Sequence, residues 1–209
     1  MELNEQLKNA LVELRKEKDR KFDQTLDLII NLQKFDTKKE SINLFISIPH
    51  KIKDKKVAGF LEVKNNKLET ITPNDFKKYE DKRALKKLVN QFDFFIAQAS
   101  LMPKVATIFG RVLGPAGKMP SPQLGIVADI NDKVVDELKK KVNNGLKIKT
   151  KEPSIKIPIG KKSMKDEDII ENINTVYTAL LKVLTKGNDN IKNIELKFTM
   201  TKPIKIKIK

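Results

Sequence analysis

The stretch TLDLIINL, Thr25–Leu32, decides the fold of the two ends of the chain. Its even positions all carry leucine or isoleucine, and its odd positions are polar except for Ile29. A period of two predicts a β-strand with one buried face and one open face. The same alternation returns in SINLFISIPH near the N-terminus and, near the C-terminus, in segments 155–159, 194–200 and 204–208.

Helical periodicity accompanies these strands. Leucines recur at helical spacing over residues 2–18, and apolar residues do so over residues 163–184. Ser163 and Asp166 have the spacing of a weak capping box for the second of these helices. Amphipathic helices combined with alternating strands predict an antiparallel sheet that is covered on one side and open on the other.

The middle of the chain has a different pattern. KKVAGFLEV and FDFFIAQA are short, nearly continuous apolar runs with helical segments between and after them, and a short strand, LKIKT, is expected after Gly145. Strand–helix alternation predicts parallel pairing in a three-layer domain. We therefore predict a fold that is α/β and α+β, with two domains. Residues 1–55 and 152–209 form a split two-layer domain of antiparallel sheet and helices, and residues 56–151 form an inserted three-layer Rossmann-like α/β domain.

Composition limits the possible partners. The 209-residue chain has 43 Lys and Arg against 27 Asp and Glu, a formal net charge of +16. Such a field favours a polyanion, with nucleic acid as the default and an anionic membrane surface as the alternative. No apolar run approaches the roughly 18 residues that span a bilayer, and the first residues lack the apolar core of a signal peptide.

Several kinds of chemistry are disfavoured. The chain has no cysteine and one histidine, His50, so disulfides and thiolate metal sites are excluded and histidine-based triads are hard to build. The absence of cysteine fits a reducing cytosol. We predict no catalytic residue, no metal site and no cofactor, and a structural role for His50.

The loop GRVLGPAGKMPSPQLG, Gly110–Gly125, contains a Gly-Lys pair that resembles part of a phosphate-binding loop. A Walker A loop needs glycine five residues before that pair and a hydroxyl after it. Val112 and Met119 occupy those positions, so the spacing argues against a nucleotide site. The proline-rich loop is expected to be a rigid surface connection, although Arg111 and Lys118 remain candidates for a phosphate contact.

The open face of the sheet is the best candidate surface from the residues alone. Lysines alternate with apolar residues on the C-terminal strands: Lys156, Lys197, Lys205 and Lys207. Such a face presents cations to phosphates, whereas a merely solvated lysine face is the alternative. Aromatic residues are few there, which favours recognition of RNA shape and backbone over stacking of bases.

Several segments, taken in chain order, together resemble the ribosomal protein L-one family: KFDQT, SIPH, FDFFIAQASLMP, GRVLGPAGKMPSP, IGKKSM and FTMTKP. They cover essentially the whole chain, and GRVLGPAGKMPSP is the most diagnostic of them. FFIAQASLMP and GPAGKMP are closer to the archaeal branch than to the eukaryotic one. The resemblance implies a split domain with a Rossmann-like insertion, in agreement with the domain plan above.

The resemblance also implies a function. It implies a structural, non-enzymatic constituent of the large ribosomal subunit in the cytoplasm, which binds large-subunit rRNA to form the mobile stalk near the exit tRNA site. Partners would be that rRNA, the exit-site tRNA whose release it assists and, as in many family members, its own mRNA, whose translation it represses. No membrane partner is implied, and the free protein is expected to be a monomer.

The family's RNA contacts carry over to residues of this chain. Together with Lys197 from the lysine face, the predicted RNA-binding residues are Lys21, Phe22, Thr25, Lys161, Thr199, Met200 and Thr201. Thr201 stands where the family usually has glycine, which permits close backbone approach or positive φ. Phe22 and Met200 also fit an alternative role in the core, because they share strand parity with Leu26 and Phe198.

Two other functions remain as alternatives on the residues alone. One is a phosphate-ester or nucleotide enzyme that uses the inserted domain, which predicts that nucleotide protects this domain against heat and that Lys118→Ala removes the protection. The other is an architectural DNA-binding protein, which predicts equal affinity for duplex DNA and for rRNA.

Overall fold

The computed structural model describes residues 2–18, 20–36, 40, 42–79, 81–122, 124–128, 132–150 and 152–206. The helices are α1 (Glu2–Arg15), α2 (Lys82–Gln91), α3 (Met102–Leu113), α4 (Asp132–Asn144) and α5 (Asp166–Val183). The strands are β1 (Thr25–Leu32), β2 (Asn43–Ser47), β3 (Val57–Phe60), β4 (Glu69–Ile71), β5 (Phe94–Gln98), β6 (Ile126–Val127), β7 (Gly145–Lys149), β8 (Ser154–Lys161), β9 (Ile191–Phe198) and β10 (Ile204–Ile206). The predicted mixed class of helices and strands is confirmed.

The chain divides into two compact units. The terminal unit comprises Met1–Ile52 and Asn144–Lys209, and the inserted unit comprises Lys53–Asn143. Each unit has its own group of buried apolar side chains.

The main sheet of the terminal unit takes its strands from both ends of the chain. Its order is β10-β9-β1-β8, and every neighbouring pair is antiparallel. Strand β1 lies in the middle, so Leu28 faces Ile157 on one side and Leu196 on the other. The alternation that predicts a half-buried strand is observed, because even positions of β1 are buried and odd positions are partly exposed.

Helices α1 and α5 cover the buried side of this sheet. Leu7, Leu11 and Leu14 of α1 pack in one cluster with the inward residues of the four strands. Helix α5 contributes a stripe of buried residues to the same cluster: Ile169, Ile170, Ile173, Val176 and Leu180. Burial of each such side chain stabilises the fold by roughly 1.5–3 kcal/mol, so the cluster holds the two ends of the chain together.

Strand β2 and the segment LKIKT differ from the prediction. LKIKT, most of β7, was expected to close the inserted domain, but β7 pairs antiparallel with β2 in a separate two-stranded sheet. Ile46 and Ile148 of this sheet join the core of the terminal unit. Burial of these residues with that core brings residues 144–151 into the terminal unit, so the units divide after residues 52 and 143 rather than after 55 and 151.

The inserted unit contains a parallel sheet in the order β4-β3-β5-β6. The parallel pairing expected of KKVAGFLEV and FDFFIAQA is confirmed, because β3 pairs parallel with β5. Helices α2 and α3 pack on this sheet around an aromatic cluster in which the ring of Phe109 lies 4.8 Å from that of Phe60 and 5.2 Å from that of Phe76.

Two local predictions are wrong. Helix α1 ends at Arg15 rather than near residue 18. The capping box at Ser163 and Asp166 is absent, because α5 begins at Asp166 after an N-cap at Lys165 and Ser163 instead donates its hydroxyl hydrogen bond to Asp23. A long-range carboxylate thus competes successfully for the serine that local spacing assigns to the helix.

Candidate nucleic-acid interface

Three segments of the terminal unit meet at one end of the main sheet. They are the loop 20–24 that precedes β1, the loop 161–165 that follows β8, and the turn 199–202 that follows β9. Because β1 is antiparallel to both β8 and β9, its first residues lie beside the last residues of its two neighbours. The predicted contact residues from three distant parts of the sequence are thereby brought together.

Backbone pairing fixes the position of Thr25 and Thr199. The backbone N–H of Thr25 donates to Oγ1 of Thr199 at 3.2 Å, and the N–H of Thr199 donates to the carbonyl of Thr25 at 3.1 Å. On the other side, Thr25 lies opposite Lys161 in the β1–β8 register. Thr199, Thr25 and Lys161 therefore form a row across the end of the sheet.

Phe22 and Met200 are exposed, so their alternative role as core residues is wrong. Phe22 has 52% of its surface accessible and Met200 has 58%. Lys21 beside Phe22 is also exposed. Large apolar side chains at a charged surface are costly to leave in water, and such exposure commonly marks a binding surface. Both residues lie outside the strands, Phe22 before the start of β1 and Met200 in the turn after β9, so strand parity does not place them in the core.

Thr201 is accommodated without special backbone geometry. Among described residues other than glycine, only Lys34 has positive φ, so Thr201 occupies an ordinary conformation. Its hydroxyl accepts a hydrogen bond from the N–H of Phe198 at 2.9 Å, and its N–H donates to the carbonyl of Phe198 at 3.1 Å. These two hydrogen bonds between Thr201 and Phe198 hold the turn, and Met200 lies at its tip.

The open face of the sheet is less uniformly cationic than the sequence predicts. Lys156 and Lys205 are exposed on it, but Glu195 lies in the same row as Lys205. Lys197 lies opposite Asp27, one row from Thr25. Lys207 lies outside the described residues. The lysine face is thus mixed in charge, and the predicted residues concentrate at its loop end.

Asp27 has a perturbed acidity because it is partly enclosed. Burial raises the pKa of its carboxyl above the usual 3.8, and the positive charge of Lys197 opposes this rise. Burial thus disfavours the ionised form of Asp27. When it is ionised, its negative charge offsets the positive charge of Lys197, which lies opposite it and belongs to the predicted contact set.

The three segments are held together mainly by residues outside the predicted contact set. Asp23 accepts hydrogen bonds from the N–H of Ser163 at 3.1 Å and from its hydroxyl at 2.9 Å, and Lys161 Nζ lies 3.6 Å from the same carboxylate. Gln24 is 1% exposed. A signal for Gln24 was present, since it is a polar residue at an inward position of the alternating pattern of β1.

Arg15 supports the loop 161–165 from the opposite side. Its guanidinium donates to the carbonyls of Lys162 and Met164, both at 2.7 Å, and to Oδ1 of Asp166 at 2.8 Å. A planar guanidinium with several donors suits such a junction better than lysine does. The end of α1, the lysine-bearing loop and the start of α5 are joined by this one side chain.

The loop 110–125 is a shaped connection within the inserted unit, and Lys118 has a structural role there. Lys118 Nζ donates to the carbonyls of Val89 at 2.7 Å and Phe92 at 2.8 Å, at the C-terminal end of α2. Gly117 has φ +70°, which favours glycine, and a Cβ on Gly125 would lie 3.1 Å from backbone atoms. Because the ammonium is engaged with helix carbonyls, it is not aimed at a phosphate.

His50 also has structural partners. Its ring Nε2 lies 2.7 Å from Oε2 of Glu171. Its backbone N–H donates to Oδ1 of Asn172, and its backbone carbonyl accepts from Nδ2 of the same asparagine. These bonds tie the end of the segment SIPH to helix α5. The described part of the chain contains no group of three or more His, Cys, Asp or Glu side chains arranged to hold a metal ion.

No helix in the described part of the chain has the length and hydropathy needed to cross a bilayer.

Comparison with known proteins agrees with the ordered motifs. The profile of the "Ribosomal protein L1p/L10e family" matches residues 14–202. A protein of Nanoarchaeum equitans named "Large ribosomal subunit protein uL1" is 34% identical over 92% of this chain and 95% of its own length. A protein of the same name from Methanobrevibacter smithii is 37% identical over 88% of this chain and 89% of its own length. Another, from Thermoplasma volcanium, is 34% identical over 99% of this chain and 97% of its own length. The three relatives named here are archaeal, and the chain belongs to the ribosomal protein L1p/L10e family.

Proposed function

We propose that this chain is a structural constituent of the large ribosomal subunit that binds large-subunit rRNA through the loop end of its main sheet. The observation that carries the proposal is the convergence of exposed Phe22 and Met200 with Lys21 and Lys161 at the loop end of the main sheet. Membership of a ribosomal protein family supports the same function and a non-enzymatic role.

The proposed binding divides between charge and shape. Lysines neutralise phosphates and supply affinity that depends on salt, whereas hydroxyl, backbone and apolar contacts select a folded RNA. The Thr199 hydroxyl, next to exposed Met200, already bonds to the backbone N–H and carbonyl of Thr25, and a hydroxyl has the capacity to accept a second hydrogen bond. An exposed carboxylate, Asp23, lies 3.6 Å from Lys161 Nζ, and its negative charge disfavours indiscriminate binding to any polyanion.

Finer parts of the function are proposed with it. The rRNA–protein assembly would be the mobile stalk near the exit site, which contacts exit-site tRNA and assists release of deacylated tRNA. Binding of the chain's own mRNA would use the same surface, if that mRNA imitates the rRNA site, and would repress translation. The free chain would be a cytoplasmic monomer, and the inserted unit would be a Rossmann-like domain, which its parallel strand order supports.

The test measures the affinity of the chain for the stalk segment of large-subunit rRNA over a salt series. Lys21→Ala removes an exposed cation of the proposed surface and is expected to reduce the slope of log K against log salt by about 0.7–0.9. Lys86→Ala removes an exposed cation of the inserted unit and is the matched control, with an unchanged slope. Thr199→Val, which removes the hydroxyl, is expected to weaken binding with the slope retained.

The architectural DNA-binding alternative predicts another result. Equal affinity for duplex DNA of the same length would favour the architectural DNA-binding alternative and contradict the proposal. Binding that is insensitive to salt, or equal loss in Lys21→Ala and Lys86→Ala, would also contradict it, because neither result needs a surface on the terminal unit.

A further inference from the structure

One buried polar residue joins all three segments of the proposed interface. Gln24 follows Asp23 and precedes Thr25, and it is almost completely enclosed. Its carbonyl accepts the N–H of Lys162 at 2.8 Å, and its side-chain Oε1 accepts the N–H of Met200 at 3.1 Å. Its main chain therefore holds one loop and its side chain holds the other.

The neighbours of Gln24 extend the same arrangement. Asp23 binds the backbone and hydroxyl of Ser163, and Thr25 exchanges backbone and hydroxyl bonds with Thr199. Three consecutive residues thus bind both the loop 161–165 and the turn 199–202. The side chain of Asp23 bonds to the loop 161–165, whereas the side chain of Gln24 and the backbone of Thr25 bond to the turn 199–202, so the tripeptide is a junction between the two segments.

The side-chain bond of Gln24 is made to the backbone of Met200, the most exposed apolar residue of the surface. Met200 lies at the tip of the turn that Thr201 closes, and Phe22 lies two residues before Gln24. The bond from the Met200 N–H to Gln24 connects the turn that carries Met200 to the loop that carries Phe22. A buried polar group keeps such a bond because leaving either partner unpaired is costly.

We propose that Gln24 is a positioning residue that preforms the RNA surface and sets its specificity without touching RNA. The inference rests on the proposed function, because it concerns the same surface. Since a preformed surface loses less conformational entropy on binding, the gain applies to the RNA whose shape fits it. Non-specific RNA binds chiefly through phosphate–lysine contacts and gains little from the position of Met200.

The experiment compares affinities for two RNAs, the stalk rRNA segment and an unrelated duplex RNA of equal length. Gln24→Leu keeps the approximate size of the side chain but removes the acceptor for Met200. We expect affinity for the stalk segment to fall about tenfold, as one hydrogen bond permits. Affinity for the duplex RNA and the salt slope should be unchanged, so the specificity ratio falls by the same factor.

Gln24→Glu is the matched variant, because it retains an acceptor oxygen in the same position. Its added negative charge is expected to weaken both RNAs similarly and to leave the specificity ratio near that of wild type. A direct readout is hydrogen exchange at the Met200 amide, which should accelerate in Gln24→Leu and remain protected in Gln24→Glu. The active fraction of each variant is measured by stoichiometric titration, so that misfolded protein does not count as weaker binding.

The outcomes separate this inference from the proposed function. If wild type does not prefer the stalk segment over duplex RNA, the proposed function fails. If wild type prefers it and Gln24→Leu keeps the same ratio, or loses affinity for both RNAs equally, the role of Gln24 is overturned while the proposed function stands. Faster exchange at Met200 with an unchanged ratio would show a structural bond without a part in specificity, which also overturns the inference.

Discussion

At the scale of single residues, two aspartates, Asp23 and Asp27, affect the structure and stability of this basic protein in different ways. Asp23 organises the loop 161–165, and Asp27 lies within the sheet face beside Lys197. The two carboxylates differ in their surroundings. Asp23 is exposed and hydrogen-bonded, whereas Asp27 is partly enclosed and its pKa is raised mainly by burial. The first supports local structure, and the second reduces stability when ionised.

Asp27→Asn is predicted to raise the free energy of unfolding at pH 7. Because the folded pKa lies above the usual 3.8, the folded state binds more protons than the unfolded state between these two values. Stability of the wild type therefore falls as pH rises through that window, and the penalty is fully present above it. The asparagine variant lacks this penalty, so its advantage should shrink as pH falls from neutral through that window and should be lost below about 3.8.

Urea unfolding at several pH values measures this difference. Glu195→Gln, one row away on the same face, controls for the loss of one negative charge from that face. A variant that is less stable than wild type at pH 7 would show that attraction to Lys197 outweighs burial, and the prediction would be wrong.

At the scale of elements, the glycine- and proline-rich loop completes a helix instead of binding a phosphate. The final carbonyls of a helix have no partner within the helix, and they carry the negative end of its dipole. Lys118 supplies a cation to the end of α2 from the loop after α3. Two residues of the GPAGKMP run thus have a structural role. Gly117 adopts positive φ in the turn, and Lys118, which follows it, bonds to the end of α2.

Lys118→Met is predicted to destabilise the inserted unit by about 1–3 kcal/mol, because two carbonyls lose a charged donor. Arg111→Met is the matched control, since Arg111 is exposed on α3 and its replacement should change stability by less than about 0.5 kcal/mol. Thermal or urea unfolding measures both variants. Equal stability of the two variants would refute the capping role of Lys118, and protection of wild type by nucleotide would revive the enzyme alternative.

At the scale of the whole molecule, the terminal unit is assembled from segments far apart in sequence. Thr25 and Thr199 are 174 positions apart, and the inserted unit lies between them. The ordering of a long loop costs entropy before the strands gain their contacts. Contacts of high sequence separation slow folding, so pairing of β1 with β9 should be a late step.

A circular permutant tests this order. Helix α1 and strand β10 are in contact, so a flexible linker of about 8 residues is expected to join the ends, with new termini at the exposed Val63. The separation of Thr25 and Thr199 falls to about 40, and formation of β1 amide protection in pulse-labelling exchange should accelerate about fivefold to tenfold. An unchanged rate in a permutant that reaches the native spectrum would show that pairing of β1 and β9 does not limit folding.

Local periodicity was enough to predict most strands and helices of this protein. Alternation identified β1, β8 and β9, and parallel pairing of β3 with β5 followed from their continuous apolar runs. The ordered motifs identified the family, and the failed Walker spacing argued against a nucleotide loop. These features depend on neighbouring residues, whose spacing decides which face of an element is apolar.

Only the tertiary structure decided which distant segments meet. β7 pairs with β2, Ser163 binds Asp23 rather than a helix end, and Phe22 and Met200 turn outward although their parity allows burial. The sequence contains a buried-parity glutamine at position 24, but its partners are residues 162 and 200. Strand pairing and long-range hydrogen bonds depend on the burial of the whole core, which no local spacing specifies. The segments of the proposed interface are therefore brought together only by the folded sheet.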